Sequence, residues 1–304
     1  MALADTSSSH PISPDPERTR AIRFIKYLLF SASIIPALVA GAMALGQGKI
    51  NWLHFALVAL GLLVGQASGD YFYFYFTHFH TDQRDAHTKI FAGWKPFFTP
   101  KPIPGKMTVF AGVACLGLDL LIGIYFYRLF GAPVLVLAAM GGVVAVFFTP
   151  LMLRGLKEPV VFMTFGPLSM LGVYYVLTGQ INLYPLVASL PVGFLVTLVA
   201  YLKSARFEVQ EQAGEAVVLK INPRTIRLLL MLAYISLGMA ALAGQLPWWS
   251  LLGLLTVPAA LKLSNKVAVQ SKVSDYLWAT VNALWIFIAT GGLLALGFLL
   301  DGWL

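Results

Sequence analysis

The sequence contains very little cysteine and little charge. Among its 304 residues Cys115 is the single cysteine, and charged residues make up 11% of the chain. One cysteine excludes an internal disulfide and a cysteine-rich metal site. Soluble domains carry about 25% charged residues, so this is not an ordinary soluble protein. The net charge of +8 does not indicate nucleic acid, because the basic residues lie between apolar runs, as they do at membrane boundaries.

Long apolar runs occupy most of the chain. Hydrophobic residues make up 59% of it, and the mean hydropathy is +0.79. A run of about 20 apolar residues is long enough to cross the hydrocarbon core of a bilayer as a helix. The runs are continuous rather than short and alternating, which excludes a transmembrane barrel. The predicted fold class is therefore all-α, a polytopic membrane protein.

The apolar runs predict nine transmembrane helices within a single domain, residues 22–304. The preceding tail, residues 1–21, is predicted to be disordered and cytoplasmic. No small-residue cleavage site follows the first apolar run, so a removed signal peptide is not expected. The predicted spans are 22–46, 52–76, 107–128, 132–153, 159–178, 183–202, 224–243, 247–264 and 278–300.

The basic residues predict the orientation of these helices. With the N-terminus inside, 19 of the 21 lysines and arginines fall on the cytoplasmic side, and only Lys49 and Arg128 fall outside. This asymmetry is typical of membrane proteins. We therefore expect a multi-pass protein of the cell (inner) membrane, with a cytoplasmic N-terminus and an external C-terminus. The loops 77–106 and 203–223, which carry the polar clusters, then both face the cytoplasm.

The first polar cluster begins inside the second predicted span. Asp70 lies near the end of that span, where a carboxylate is unfavourable unless it is paired, hydrated or bound to a cation. An aromatic run follows directly, and electron-rich rings can stabilise a carbocation through their faces. The candidates for that role are Tyr71, Tyr73 and Tyr75. The alternative is an aromatic belt at the membrane interface.

The loop after this span contains more ionisable groups. Asp82 and Asp85 form an oxygen-rich pair that suits Mg²⁺, which prefers carboxylates, water and phosphate oxygens. A transition-metal site is the weaker interpretation, because the spacing of His78, His80 and His87 matches no familiar ligand pattern. Loop residues of this kind are also often simply hydrated.

A second polar cluster follows the sixth predicted span. Glu208, Glu211 and Glu215 are spaced i, i+3 and i+7, which predicts one face of a helix that continues from the span. Lys203 and Arg206 precede them and could hold phosphate oxygens. The alternative is a hydrated, charged helix end. Asp119 lies in the middle of the third span, where a carboxylate indicates a functional role or a hydrogen bond to a neighbouring helix.

Three stretches resemble the UbiA superfamily of intramembrane prenyltransferases. The first, GDYFYFYFTHFHTD at residues 69–82, is similar to the first Asp-rich motif of that superfamily. The other two resemble the fifth and sixth spans of its menaquinone branch, the 1,4-dihydroxy-2-naphthoate polyprenyltransferases. They are MTFGPLSMLGVYYVLTGQIN at 163–182 and LVASLPVGFLVTLVAYLKSARFEVQEQAGE at 186–215.

The resemblance implies a nine-helix bundle with a central cavity that opens to the cytoplasmic side. It also implies Mg²⁺-assisted transfer of a prenyl group from a prenyl diphosphate to an aromatic quinone precursor or another lipophilic acceptor within the bilayer. The implied metal ligands are Asp70, Asp82, Asp85, Glu208 and Glu211, and the implied diphosphate ligands are Arg84, Lys89, Lys203 and Arg206. Asp70, Tyr71, Tyr73 and Tyr75 would be the catalytic residues.

The chain also departs from the family pattern. Tyr73 stands where the first motif has its second aspartate, Phe207 where one form of the second motif has aspartate, and Glu215 where a lysine usually follows the glycine. Fewer carboxylates imply weaker Mg²⁺ binding. The alternatives are therefore a non-catalytic relative that binds an isoprenoid or quinone or supports a partner protein, and a terpene cyclase of the same superfamily. A transporter with Asp119 as its coupling group is less favoured, because no inverted repeat with broken helices is evident.

Overall fold

The computed structural model describes residues 30–79, 104–203, 207–209, 217–219, 221–267 and 273–303. Within these residues the chain forms nine helical segments, each at the place of a predicted span. They are α1 (Ser31–Gly46), α2 (Trp52–Phe79), α3 (Gly105–Phe130), α4 (Ala132–Leu153), α5 (Lys157–Thr178), α6 (Tyr184–Lys203), α7 (Pro223–Leu242), α8 (Val257–Val267), which follows a 3₁₀-helix (Trp248–Thr256), and α9 (Val273–Trp303).

Seven of these helices are long and apolar enough to cross a membrane: α2 to α7 and α9. The chain is therefore a multi-pass membrane protein. The short α1 is the described part of the first predicted span, since residues 1–29 lie outside the description. The predicted bounds of the third and fourth spans leave room only for a short turn, and α3 does end at Phe130 while α4 begins at Ala132. Gly131 makes this turn with a φ of 79°, a conformation that favours glycine.

The eighth predicted span is not one continuous α-helix. Its first part, Trp248–Thr256, is a 3₁₀-helix, and α8 starts only at Val257. Pro258 has no backbone N–H to donate to the Leu254 carbonyl four residues earlier. The Val257 N–H donates to that carbonyl instead, in the three-residue pattern of a 3₁₀-helix. The sequence prediction was right about the position of this segment and wrong about its regularity.

The prediction that a helix continues beyond the sixth span is also wrong. Helix α6 ends at Lys203, and Phe207–Val209 forms a strand, β1, that pairs antiparallel with β2, Val217–Leu219. Glu208 therefore lies in a strand opposite Val218, while Glu211 and Glu215 lie outside the described residues. β-Branched and aromatic residues at 207, 209, 217 and 218 favour strand pairing, and this preference outweighed the helical spacing of the glutamates.

Helix α6 lies at the centre of the bundle. It contacts α1, α5, α7 and α9, and its side chains Leu195, Leu198 and Leu202 are almost completely buried. Helices α2, α3 and α4 form a second group, in which α2 packs against both of the others. Since α3 and α4 keep many apolar side chains exposed, their outer faces suit contact with lipid.

Several helices approach one another closely at glycines. A Cβ atom added at Gly297 on α9 would lie 2.4 Å from the Trp249 carbonyl oxygen, and one at Gly302 would lie 2.4 Å from the Gly46 Cα atom. Small residues permit this backbone-to-backbone packing between membrane helices. These contacts join α9 to α1 and to the 3₁₀-helix.

We expect Gly297→Ala to lower the stability of the folded protein by about 1–3 kcal/mol, because the added methyl group meets backbone atoms that cannot rotate away. Gly292→Ala is the matched control on the same helix, since its Cβ would meet nothing within 4 Å. Thermal unfolding of both variants in detergent measures the difference. An equal melting temperature for the two variants would contradict the packing of α9 described here.

Candidate functional site

A cavity of about 900 Å³ lies within the bundle. Helices α2 to α6 provide most of its wall, and α1 and α9 contribute a few residues. Most lining side chains are apolar, among them Leu62, Ile122, Phe126, Phe148 and Phe287. Four charged side chains gather at one end of the cavity. This combination suits an elongated, amphiphilic ligand rather than a small polar one.

The charged end consists of Asp70 on α2, Lys157 and Glu158 at the start of α5, and Lys203 at the end of α6. All four side chains are half-buried. The Lys203 ammonium is close enough to the Asp70 carboxylate for an electrostatic interaction. Lys157 donates a hydrogen bond to the Ala200 carbonyl on α6, and its charge interacts with those of Lys203 and Glu158. The helix ends therefore bring two ammonium groups together at one end of an apolar cavity.

Lys157 was not predicted as a site residue from the sequence. It counted there only as one of the basic residues that orient the helices. The signal that could have identified it is its position as the first residue of α5, on the same predicted membrane side as Asp70 and Lys203. Only the packing of α5 against α6 shows that its side chain reaches the same cavity.

The aromatic run is divided between two environments. Tyr73 and Phe74 follow Asp70 at i+3 and i+4, and all three side chains line the cavity, as expected for one face of a helix. The Tyr73 ring lies 6.3 Å from the Phe148 ring, at an angle of 61°. Tyr71 and Tyr75 do not contribute to the cavity wall. Tyr73 is thus the one of the three predicted tyrosines that faces the cavity.

Phe72 shows how the run is anchored. Its ring is buried and lies over Gly112 on α3, where an added Cβ would come within 3.2 Å of it. Ser68 donates a hydrogen bond of 2.9 Å to the Gly112 carbonyl. These contacts fix α2 against α3, so the opposite face of α2 presents Asp70 and Tyr73 to the cavity.

Asp119 lines the same cavity from the middle of α3. Its two carboxylate oxygens lie 3.1 Å and 3.4 Å from the positions that Cβ atoms would take at Gly61 and Gly65 on α2. The glycines therefore leave the space that the carboxylate occupies. The hydrogen bond to a neighbouring helix that the sequence offered as an alternative is not formed with any described residue.

Uncharged polar side chains also line the cavity, among them Ser31, Ser33 and Gln66. Ser33 on α1 donates to the Gln66 side-chain oxygen at 2.6 Å and lies 3.2 Å from the Leu62 carbonyl. Ser31, two residues earlier, has a buried hydroxyl with no hydrogen-bond partner among the described residues. Since a buried hydroxyl without a partner is unfavourable, Ser31 could donate to a bound ligand. None of these residues was predicted as part of the site.

A π-helical turn in α5 forms part of the cavity wall. It covers Thr164–Leu168, and Thr164, Phe165 and Leu168 line the cavity. Pro167 cannot donate to the Met163 carbonyl, which removes one hydrogen bond of a regular α-helix and favours the wider turn. π-Helical turns are frequent at functional sites. On the other side of α5, a Cβ at Gly166 would lie 3.0 Å from the Gly193 Cα atom on α6.

Most other predicted ligands lie outside the described residues. These are Asp82, Asp85, Arg84, Lys89, Arg206 and Glu211, together with the side chain of Glu208. Among the residues whose side chains are described, no three of histidine, cysteine, aspartate or glutamate converge in a way that could hold a metal ion. Asp70 is the one described carboxylate of the predicted metal set, and it faces the Lys203 ammonium. The described donors alone do not fit a Mg²⁺ site.

Comparisons with known proteins were made at the level of sequence and of fold. A scan against models of known protein families found no match, and a search of curated proteins found none either. The structure is similar to a solved structure of a digeranylgeranylglyceryl phosphate synthase from membranes, with a TM-score of 0.43 and 13% identity. The alignment covers 94% of this chain and 99% of that one.

The geometry itself limits what the site can do. The two ammonium groups at the charged end, beside the carboxylates of Asp70 and Glu158, can both contact an anion such as a phosphate or diphosphate. The remaining wall offers apolar surface, which favours a hydrocarbon chain attached to that anion. The aromatic faces of Tyr73 and Phe148 lie close to the charged end.

Proposed function

We propose that this protein is an intramembrane prenyltransferase of the UbiA type, which transfers a prenyl group from a prenyl diphosphate to a lipophilic acceptor. The observation that carries the proposal is a cavity with Lys157 and Lys203 at one end and mainly apolar side chains along the rest. The sequence resemblance at residues 69–82, 163–182 and 186–215 supports the same reaction. It also favours an aromatic quinone precursor as the acceptor, as in the menaquinone branch.

In this proposal the diphosphate binds at the charged end, and the prenyl chain lies along the apolar wall. The bond between the first prenyl carbon and the diphosphate oxygen breaks, and both electrons leave with the diphosphate. Lys157 and Lys203 stabilise the charge that develops on the leaving group. The Tyr73 ring stabilises the allylic cation. The acceptor then forms a bond to the first prenyl carbon and releases a proton.

Magnesium assistance remains a prediction from the sequence. A bound Mg²⁺ would neutralise charge on the diphosphate. Asp70 is the described residue that could contribute to such a site, and further carboxylates would have to come from Asp82, Asp85, Glu208 and Glu211. We likewise propose a cavity that opens to the cytoplasmic side of the cell membrane, on the basis of the distribution of basic residues.

The test of this proposal is ligand binding by the purified protein in lipid nanodiscs. We expect farnesyl diphosphate to bind at least about 10-fold more tightly than farnesol, because the lysine ammonium groups contact only the diphosphate. Incubation with farnesyl diphosphate and 1,4-dihydroxy-2-naphthoate should then release diphosphate and form a prenylated product. Equal affinity for the two isoprenoids would contradict the proposal. Empty nanodiscs provide the blank for partition into lipid.

A non-catalytic isoprenoid- or quinone-binding protein is the second candidate. The observation that favours it is Tyr73, a phenol that faces the cavity at the position where the family motif has a carboxylate. Such a protein would bind farnesyl diphosphate without releasing diphosphate, with or without an acceptor. Release of diphosphate together with a cyclic isoprenoid product, without any acceptor, would instead identify a terpene cyclase. The assay above therefore separates these alternatives.

A further inference from the structure

The cavity contains a second charged position, away from the two lysines. Asp119 lies beside Gly61 and Gly65, which precede Asp70 on α2 by nine and five residues. At a rise of about 1.5 Å per residue, its carboxylate lies about 8–13 Å further along the bundle than Asp70. The charged end and Asp119 are therefore different places within one cavity.

Asp119 has no polar partner among the described residues. No described side chain donates a hydrogen bond to it, and no described basic group lies close enough to pair with it. It is nevertheless half-buried and faces a mainly apolar cavity. A carboxylate inside a membrane protein is unfavourable without a hydrogen-bond donor, a cation or water.

We propose that Asp119 binds the hydroxyl group of the aromatic acceptor and so forms an acceptor subsite within the cavity. A hydroxyl donates one strong hydrogen bond to a carboxylate, and the apolar surface of Ile122 and Phe126, on the same helix and also in the cavity wall, can cover the rest of an aromatic ring. This assignment rests on the proposed function, since it places the acceptor between Asp119 and the prenyl carbon at the charged end.

The glycines of α2 are part of this subsite. A methyl group at residue 61 would lie 3.1 Å from a carboxylate oxygen of Asp119, which is closer than an ordinary van der Waals contact. Gly61→Ala should therefore displace the carboxylate without removing it. Gly117→Ala is the matched control on α3, because its Cβ would meet nothing within 4 Å and residue 117 does not line the cavity.

The test compares two probes in nanodiscs without any prenyl diphosphate. We expect 1-naphthol to bind the unmodified protein more tightly than 1-methoxynaphthalene, which cannot donate a hydrogen bond. Asp119→Leu should weaken naphthol binding about 10- to 100-fold and change methoxynaphthalene binding less than about 2-fold. Asp119→Asn and Gly61→Ala should give intermediate losses, and Gly117→Ala none.

If Asp119 had a purely structural role, Asp119→Leu would weaken the binding of both probes equally, and this result would overturn the proposal. Binding of the cationic probe 1-naphthylmethylammonium in preference to naphthol would also overturn it, in favour of a cation site. Thermal unfolding of each variant shows whether it is folded. If naphthol binding depends on Asp119 but farnesyl diphosphate does not bind, the hydroxyl subsite stands and the prenyltransferase proposal fails. If farnesyl diphosphate binds but naphthol binding does not depend on Asp119, only the subsite proposal fails.

Discussion

Lys203→Ala and Lys157→Ala are each expected to weaken the binding of farnesyl diphosphate about 10- to 100-fold while leaving farnesol binding unchanged. Each substitution removes a charge-assisted hydrogen bond to the diphosphate, and such bonds contribute about 1.5–3 kcal/mol. Lys203→Ala should have the larger effect, because it also leaves the Asp70 carboxylate without the ammonium group that now interacts with it. Equilibrium binding of both isoprenoids to the variants in nanodiscs measures the effect.

Lys262→Ala is the control for this pair. Lys262 is exposed on α8 and is not part of the cavity wall, although its place among the basic residues puts it on the same predicted membrane side. Lys203→Arg should retain most of the affinity, since the charge remains. If Lys262→Ala weakened farnesyl diphosphate binding as much as Lys203→Ala does, the effect would come from the surface potential and not from the cavity.

The effect of Asp70→Asn on farnesyl diphosphate binding is expected to change sign when Mg²⁺ is added. With EDTA present, Asp70→Asn should strengthen farnesyl diphosphate binding about 10-fold, because a negative charge beside the diphosphate is removed. With Mg²⁺ present, the same substitution should weaken binding by a similar factor and reduce product formation further, if Asp70 acts as the predicted metal ligand. Binding titrations of one variant in the two buffers give both numbers.

Asp301→Asn is the matched control, because Asp301 is exposed near the end of α9 and lies outside the cavity. It should leave both affinities unchanged. If Asp70→Asn gained affinity for farnesyl diphosphate with EDTA but lost none with Mg²⁺, Asp70 would serve only to hold Lys203. The diphosphate would then bind without a metal at this carboxylate. Tighter farnesyl diphosphate binding upon addition of Mg²⁺ to the unmodified protein would support the metal prediction independently.

Tyr73 and its neighbours show how far helical periodicity could predict the site. Residues three apart lie on one face of a helix, so Asp70 and Tyr73 are neighbours on α2, and both side chains line the cavity. The same periodicity separates Tyr71 and Tyr75 from that face. Of the three tyrosines predicted to stabilise a carbocation, Tyr73 is therefore the one that lines the cavity.

The second polar cluster shows where local patterns fail. The spacing of Glu208, Glu211 and Glu215 fits a helix, but the chain leaves α6 at Lys203 and forms the hairpin of β1 and β2. The pairing of β1 with β2, a separate segment further along the chain, decides this conformation. A periodicity within one segment contains no information about a partner strand.

The amino-acid sequence by itself determined that this is a multi-pass membrane protein built mainly from helices, and it placed a predicted span at each described helical segment. Apolar run length decides this, because a bilayer requires about 20 apolar residues for each crossing. Only the tertiary structure brought Lys157 to Lys203 and Asp70, and only it placed Asp119 against Gly61 and Gly65 inside a common cavity. These contacts depend on which helices pack together and how each is rotated about its axis, and side chains distant in sequence decide both.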